Sequence, residues 1–244
     1  MNRHFSLRAF ASTIALMSLN AFATSAASQA TRTDVRDLPL NWTEPKGERA
    51  PFTAVMLTGD GGFADLDTKV TNRLAEYGIA VVGFNSRSWI NAKRTPDETA
   101  VAVARALHAA VEKFGGDSIL IVGYSRGADF APFVANRLPA DLRQKLSAVV
   151  MLGMAPAASF EFHLTDLIKD TVRPTDIPTM PELLKLQGTP MACVFGSEEK
   201  SSGCRGAPAS LVHVEERSGG HHFDGDPKAL ADVVLRLIKR LPAK

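Results

Sequence analysis

The chain has 244 residues, 45% of them hydrophobic and 22% charged, which is long for one small domain, short for two, and enough for one sizeable core. Its 28 basic and 26 acidic residues leave a formal net charge of +2. Arg3 and Arg8 account for that excess, so a chain without residues 1–23 is formally neutral, which argues against nucleic acid as a partner.

Arg3, His4 and Arg8 precede an apolar run from Ala9 to Leu19, and small residues follow, with Ala21-Phe22-Ala23 and Thr24-Ser25-Ala26 as alternative cleavage triplets. That is the layout of a secretory signal peptide, and the run is short for a bilayer span. Residues 1–23 are expected to be a signal peptide, 24–51 a polar leader, and 52–244 the folded domain. No cysteine follows the apolar run to carry a lipid.

Ala54 to Thr58 reads as a buried strand running into Gly59-Asp60-Gly61-Gly62. Leu66, Val70, Leu74 and Tyr77 then share one helical face, with Gly78 as the stop. Ile79 to Phe84 is the next strand. Thr95-Pro96-Asp97-Glu98 is a capping box with proline at the first helical position. Val103, Leu107, Ala110, Val111 and Phe114 form the stripe of that helix, and Gly115-Gly116 ends it. Ile119 to Gly123 is a third strand.

Phe130, Phe133, Val134 and Leu138 mark a helix that begins just after Ser125, and Ala148 to Leu152 is a strand. Residues 154–189, with Pro156, Pro174, Pro178 and Pro181, read as a small cap with short helices. Met191 to Phe195 and Leu211 to Val214 are the last strands. Asp226-Pro227 opens a final helix carrying Leu230, Val233, Val234, Leu237, Ile238 and Leu241. The alternation predicts an α/β fold, a mostly parallel sheet of about six strands with helices on both faces.

The two cysteines, Cys193 and Cys204, lie close in sequence in an exported chain, which favours a disulfide closing a short loop. No Cys/His cluster has zinc-ligand spacing, so no metal is expected.

Gly123-Tyr124-Ser125-Arg126-Gly127 matches G-x-S-x-G between a predicted strand and a predicted helix. That context makes it a nucleophile elbow, the signature of the α/β-hydrolase fold. A serine hydroxyl needs a base, and in this fold the acid and then the histidine follow the nucleophile in the chain. The tandem His221-His222 lies after the last strand. His221 is preferred for its His-x-Phe order, with His222 as the alternative. His108 and His213 fall inside a predicted helix and strand and read as packing or surface residues. The acid belongs after the strand at 191–195, where Glu199 stands three residues beyond Gly196 and Glu198 is its rival. The proposed Cys193–Cys204 bridge spans that loop and would hold the acid in place.

The oxyanion of an acyl transfer needs backbone N–H donors. Arg126 supplies one, and Gly62 is expected to supply the other, with Gly61 and Phe63 as neighbours. Asp60 is out of place in such a loop. A carboxylate there must face away, meet a cation, or bind a positively charged group of the substrate.

Gly59-Asp60-Gly61-Gly62-Phe63-Ala64-Asp65-Leu66-Asp67, Arg94-Thr95-Pro96, Gly123-Tyr124-Ser125-Arg126-Gly127-Ala128-Asp129, Phe160-Glu161-Phe162-His163 and Gly219-Gly220-His221-His222-Phe223-Asp224-Gly225-Asp226 together resemble the VirJ family of bacterial virulence proteins and the related C-terminal half of AcvB. The resemblance covers residues 52–240 or so. It implies a periplasmic protein and a hydrolase of aminoacyl-phosphatidylglycerol, releasing lysine or alanine from the lipid without a cofactor. It also implies type IV secretion components as a second class of partner. On that substrate Asp60 and Glu161 would receive the ammonium group, and Phe160, Phe162 and Trp89 would meet the lipid unless they are ordinary core residues. His163 is a pocket candidate with no catalytic role. The alternatives are another carboxylesterase or peptidase on the same machinery, and a non-catalytic hydrolase-fold protein serving a secretion system.

Overall fold

The computed structural model describes Met1, residues 34–163 and residues 172–240. The expected signal peptide, residues 164–171 of the expected cap, and Leu241 of the last helical stripe lie outside the described residues.

A seven-stranded sheet forms the centre. Its strands are β1 (Leu40–Thr43), β2 (Phe52–Leu57), β3 (Ala80–Phe84), β4 (Ser118–Tyr124), β5 (Leu146–Leu152), β6 (Met191–Gly196) and β7 (His213–Arg217), in the order β1-β3-β2-β4-β5-β6-β7. β1 is antiparallel to β3, and every other pair is parallel. The parallel strands therefore end on one edge, where their outgoing loops meet.

Among the described residues six helices of six residues or more accompany the sheet: α1 (Asp65–Glu76), α2 (Pro96–Phe114), α3 (Arg126–Asn136), α4 (Ala140–Lys145), α5 (Thr179–Leu184) and α6 (Pro227–Lys239). Successive side chains of a strand face opposite ways, and β2 shows the consequence. Val55 and Leu57 pack with the buried stripes of α2 and α3, whereas Ala54 and Met56 pack with those of α1 and α6. Both faces of the sheet are dry, so its strands read as unbroken apolar runs. The capping box of α2 is formed as its sequence requires, with Glu98 N–H donating to Thr95 Oγ1 at 3.1 Å and Thr95 N–H donating to Glu98 Oε2 at 2.8 Å.

Two boundaries differ from the sequence reading, in which 24–51 precedes the domain. β1 lies inside that segment and pairs with β3 from Leu40↔Phe84 to Thr43↔Val81. An edge strand of four residues carries too few apolar positions for its period to register, although Trp42 packs at 6.1 Å from Phe114. The last strand runs over His213–Arg217 rather than 211–214. Val212 is buried in the core outside the ladder, while the edge strand itself is mostly polar, so the apolar signal marked the packing residues and not the hydrogen-bonded ones.

The described part of the cap consists of a two-residue antiparallel ribbon, Ala157–Ala158 against Ile177–Pro178, leading into α5.

Candidate active site

A tight turn joins β4 to α3. Ser125 sits there at φ 52° and ψ −123°, a left-handed conformation that costs a non-glycine residue energy and projects its side chain from the sheet edge. The flanking glycines are forced by close backbone approach. A Cβ on Gly123 would lie 2.2 Å from the Gly127 carbonyl oxygen, and one on Gly127 would lie 2.0 Å from the Leu57 carbonyl oxygen. Ser125 N–H donates to the Leu152 carbonyl at 2.8 Å, tying the turn to the neighbouring strand β5.

Two other loops on the same edge complete a hydrogen-bonded chain. His221 Nε2 lies 2.7 Å from Ser125 Oγ, and His221 Nδ1 lies 2.5 Å from Glu199 Oε1. Gly196 N–H donates to Glu199 Oε2 at 2.6 Å. Burial pushes the Glu199 carboxyl up. The hydrogen bonds from His221 and Gly196 N–H, with the nearby charges of His221 and Arg205, outweigh that effect and hold it below the usual range. The imidazole stacks on the Tyr124 ring at 5.6 Å and passes over Gly153, where a Cβ would meet His221 Cε1 at 2.9 Å. Cys193 of β6 and Cys204 form a disulfide around the Glu199 loop, with Cα atoms 5.4 Å apart.

The rival residues stand apart from this chain. Glu198 is exposed and is held by its N–H to the Gly219 carbonyl at 3.0 Å. His222 is engaged elsewhere, its Nδ1 sharing a 2.8 Å hydrogen bond with the Tyr124 hydroxyl.

The loop after β2 differs from the expectation for it. Gly62 N–H donates to the Gly59 carbonyl at 3.0 Å, closing a tight turn, so that donor is already used. Phe63 turns its ring into the space over Gly83, and neither it, Gly61 nor Gly62 lines the cleft at Ser125. Asp60 does line it. Its carboxylate is gripped by the Arg126 side chain, Nε to Oδ1 at 3.1 Å and Nη2 to Oδ2 at 2.8 Å. With both oxygens so engaged, Asp60 meets a cation of the protein itself, one of the arrangements open to it from the sequence, and is not a free counter-charge.

Glu161 is half-buried beyond the ribbon and is not part of the cleft wall. Phe160 is a core residue, stacked at 4.6 Å on Phe130 and edge-on at 5.3 Å to Phe133. Phe162 lies under the Arg87 guanidinium, and Trp89 donates Nε1–H to Thr99 Oγ1 at 3.0 Å. His108 lies 2.8 Å from Asp141, and His213 is exposed on the edge strand.

The cleft encloses about 180 Å³ and is walled by Ser125, His221, Asp60, Arg126, Asp129 and residues 153–157 of the loop after β5, with Arg173 and Asp176 of the cap. Sequence reasoning gave Asp129 no role. It is an acid next to the apolar run Phe130–Ala135 of α3, four residues after Ser125, and that misplaced charge is the signal that marks it. Only 4% of it is exposed, and its Oδ1 accepts the Ala155 N–H at 2.7 Å. Burial pushes its carboxyl up to about 8 against the opposing pull of Arg126 and the Ala155 N–H. A second buried acid, Asp67, lies on α1, and burial pushes its carboxyl up to about 7 against the opposing pull of the Gly59 backbone N–H and its own N–H. Among the described residues no group of three His, Cys, Asp or Glu side chains is placed to share a metal ion.

The family model of the bacterial virulence protein (VirJ) matches residues 52–241. No curated protein matches the chain. Among solved structures it is similar to Est1E from Butyrivibrio proteoclasticus, at 14% identity and a TM-score of 0.58, over 85% of this chain and 98% of that one. An alpha-beta serine hydrolase homologue from Coxiella burnetii is 19% identical with a TM-score of 0.58, over 81% of this chain and 89% of that one. XC6422 from Xanthomonas campestris, an a/b serine hydrolase without a lid, is 16% identical with a TM-score of 0.55, over 84% and 89%. At such identities the likeness is one of architecture, and the architecture is the α/β-hydrolase fold.

Proposed function

Because the chain belongs to the VirJ family of bacterial virulence proteins, and because an imidazole bridges a strained serine and a half-buried carboxylate in it, we propose that it is a serine hydrolase that cleaves an ester through an acyl-enzyme on Ser125. The observation that carries this reading is the unbroken sequence from Ser125 Oγ through His221 to Glu199, at 2.7 and 2.5 Å. His221 Nε2 removes the hydroxyl proton as Oγ attacks the ester carbonyl, then returns it to the departing alcohol. Water repeats the sequence on the acyl-enzyme and frees the acid. Glu199 fixes the imidazole tautomer and stabilises the imidazolium. One oxyanion donor is the Arg126 N–H at the start of α3, where the helix dipole favours negative charge. The other is the Asp60 N–H rather than that of Gly62. In support, Asp60 lines the cleft, and a Cβ on its neighbour Gly59 would lie 3.0 Å from Ser125 Cβ.

The substrate class we propose is an aminoacyl-phosphatidylglycerol, lysyl or alanyl, met at the periplasmic membrane surface after export. A disulfide is at home in an oxidising compartment. With Asp60 set against Arg126 and Glu199 against His221, Asp129 and Asp176 remain beside Arg173 in the described cleft wall, a surplus of acid that suits a cationic acyl group. No cofactor takes part in these steps. The test is release of free amino acid from vesicles containing lysyl- or alanyl-phosphatidylglycerol by the purified mature protein. Release that disappears in Ser125→Ala is expected. Release that survives in Ser125→Ala overturns the serine mechanism, and an absence of release from both lipids overturns the substrate class.

A further inference from the structure

Asp129 has an arrangement that the hydrolytic steps do not use. It lies one helical turn below Ser125, its N–H donating to the Ser125 carbonyl at 3.1 Å, and residues four apart lie on one helix face. It lines the same cleft as Ser125 and His221 while remaining almost wholly buried. One carboxylate oxygen is anchored by the Ala155 N–H, and the other has no hydrogen-bond partner among the described residues. A buried carboxyl is costly unless it is paired, and when one oxygen is left open beside a reacting group the missing partner is naturally a ligand.

The neighbouring charges narrow the kind of ligand. Arg126 spends its fork on both oxygens of Asp60, and Glu199 is committed to His221 and Gly196. Asp129 is thus an acid of the cleft, one helical turn from the nucleophile, with an oxygen still able to take a cation. Resting on the reading of Ser125 as the nucleophile, we propose that the open oxygen of Asp129 receives an ammonium group borne on the carbon next to the scissile carbonyl, so that the cleft selects α-aminoacyl esters. The groups facing that oxygen's surroundings are Arg126, Asp60 and His221, whose charges reach Asp129. In the empty cleft burial keeps the acid largely protonated near neutrality, and a docked ammonium restores the carboxylate and forms a charge-assisted hydrogen bond.

Alanine methyl ester and methyl propionate differ only in the α-amino group, and Asp129→Asn keeps an acceptor for the Ala155 N–H while removing the charge. The ratio of kcat/KM for the amino ester over the plain ester is expected to fall on the order of tenfold or more in Asp129→Asn. An unchanged ratio, including an equal fall on both esters, overturns the proposal and leaves Asp129 a purely structural residue. Binding is read without turnover in Ser125→Ala by titrating alaninamide and propionamide. Preference for alaninamide that vanishes when Asp129→Asn is added supports the ammonium site even if neither ester is cleaved, an outcome that would count only against Ser125 as nucleophile. Equal binding of the two amides before that change overturns the site.

Discussion

The guanidinium of Arg126 holds both carboxylate oxygens of Asp60, bridging residues 66 apart in sequence at 3.1 and 2.8 Å. The contact ties the first residue of α3 to the loop leaving β2, the two places from which an oxyanion would be held. A bidentate pair fixes direction as well as distance, because the planar fork fits a carboxylate in few ways. On the proposed mechanism, an acid that is adverse as a free charge beside an oxyanion thereby becomes a strut for the backbone that would bind it.

Asp60→Ala should therefore be costly in two measurements. It removes the bidentate hydrogen bonds to an Arg126 side chain that is only 9% exposed, and denaturant unfolding should show a loss on the order of 3 kcal/mol. Ester turnover should fall about a hundredfold in kcat as the N–H donors lose alignment. Combining Asp60→Ala with Arg126→Ala should cost clearly less than the two single losses added together. Strict additivity would show that the two side chains do not act as a unit.

The two glutamates and the two histidines separate cleanly. Glu199→Gln should lower kcat about a thousandfold or more, since an amide holds the imidazole in the wrong tautomer. Glu198→Gln, at an exposed side chain, should stay within about threefold. His221→Ala should match Ser125→Ala in residual rate, because groups acting as one unit are not additive. His222→Ala removes the Tyr124 hydrogen bond and an edge contact at 5.9 Å with the His221 ring, and should retain most of the rate. Comparable losses at Glu198 or His222 would move the chemistry off the proposed chain.

What the sequence made legible is what local rules dictate. The serine turn announces itself because Gly123 and Gly127 are needed for backbone contact within a few residues. The capping box of α2 and the runs of the buried strands are also local. Choosing Glu199 over Glu198 used the length of one turn. Gly62 was misjudged because glycine signals freedom of the backbone and not the direction of its N–H, which here closes onto Gly59. The Asp60–Arg126 pair and the open oxygen of Asp129 depend on contacts between distant segments, which no periodicity records. β1 escaped because a short polar edge strand has almost no apolar period.

Asp67 and Asp129 make stability depend on pH in an unusual direction. Burial raises both carboxyls from a usual 3.8, to about 7 and about 8. The folded state therefore holds more protons than the unfolded chain between those limits, and the stability these acids contribute is present below pH 4 and lost as pH rises. Unfolding free energy should fall between pH 5 and pH 7 by up to about 1 kcal/mol per pH unit for each acid. Asp67→Asn and Asp129→Asn should each flatten that slope. A slope of the opposite sign in the wild type, or one untouched by both substitutions, would show that these acids ionise normally in the folded protein.

The Cys193–Cys204 bridge closes a loop with a sequence separation of 11, and Glu199 lies inside it. Both cysteines are fully buried, so reductant should act on the unfolded chain long before it reaches the native bridge. Loop-closure entropy sets the expected cost of the paired Cys193→Ala and Cys204→Ala substitution at about 3 kcal/mol. For a chain of this size that corresponds to a fall in Tm of roughly 8 °C. The bridge also joins the strand that carries the acid to the turn beyond it, so its loss should loosen Glu199 against His221. In that case kcat drops about tenfold at a temperature where the variant remains folded, while KM changes little, and adding Glu199→Gln costs less than it does in the wild type. If Tm falls while kcat stays at the wild-type value, the bridge stabilises the fold without positioning the acid.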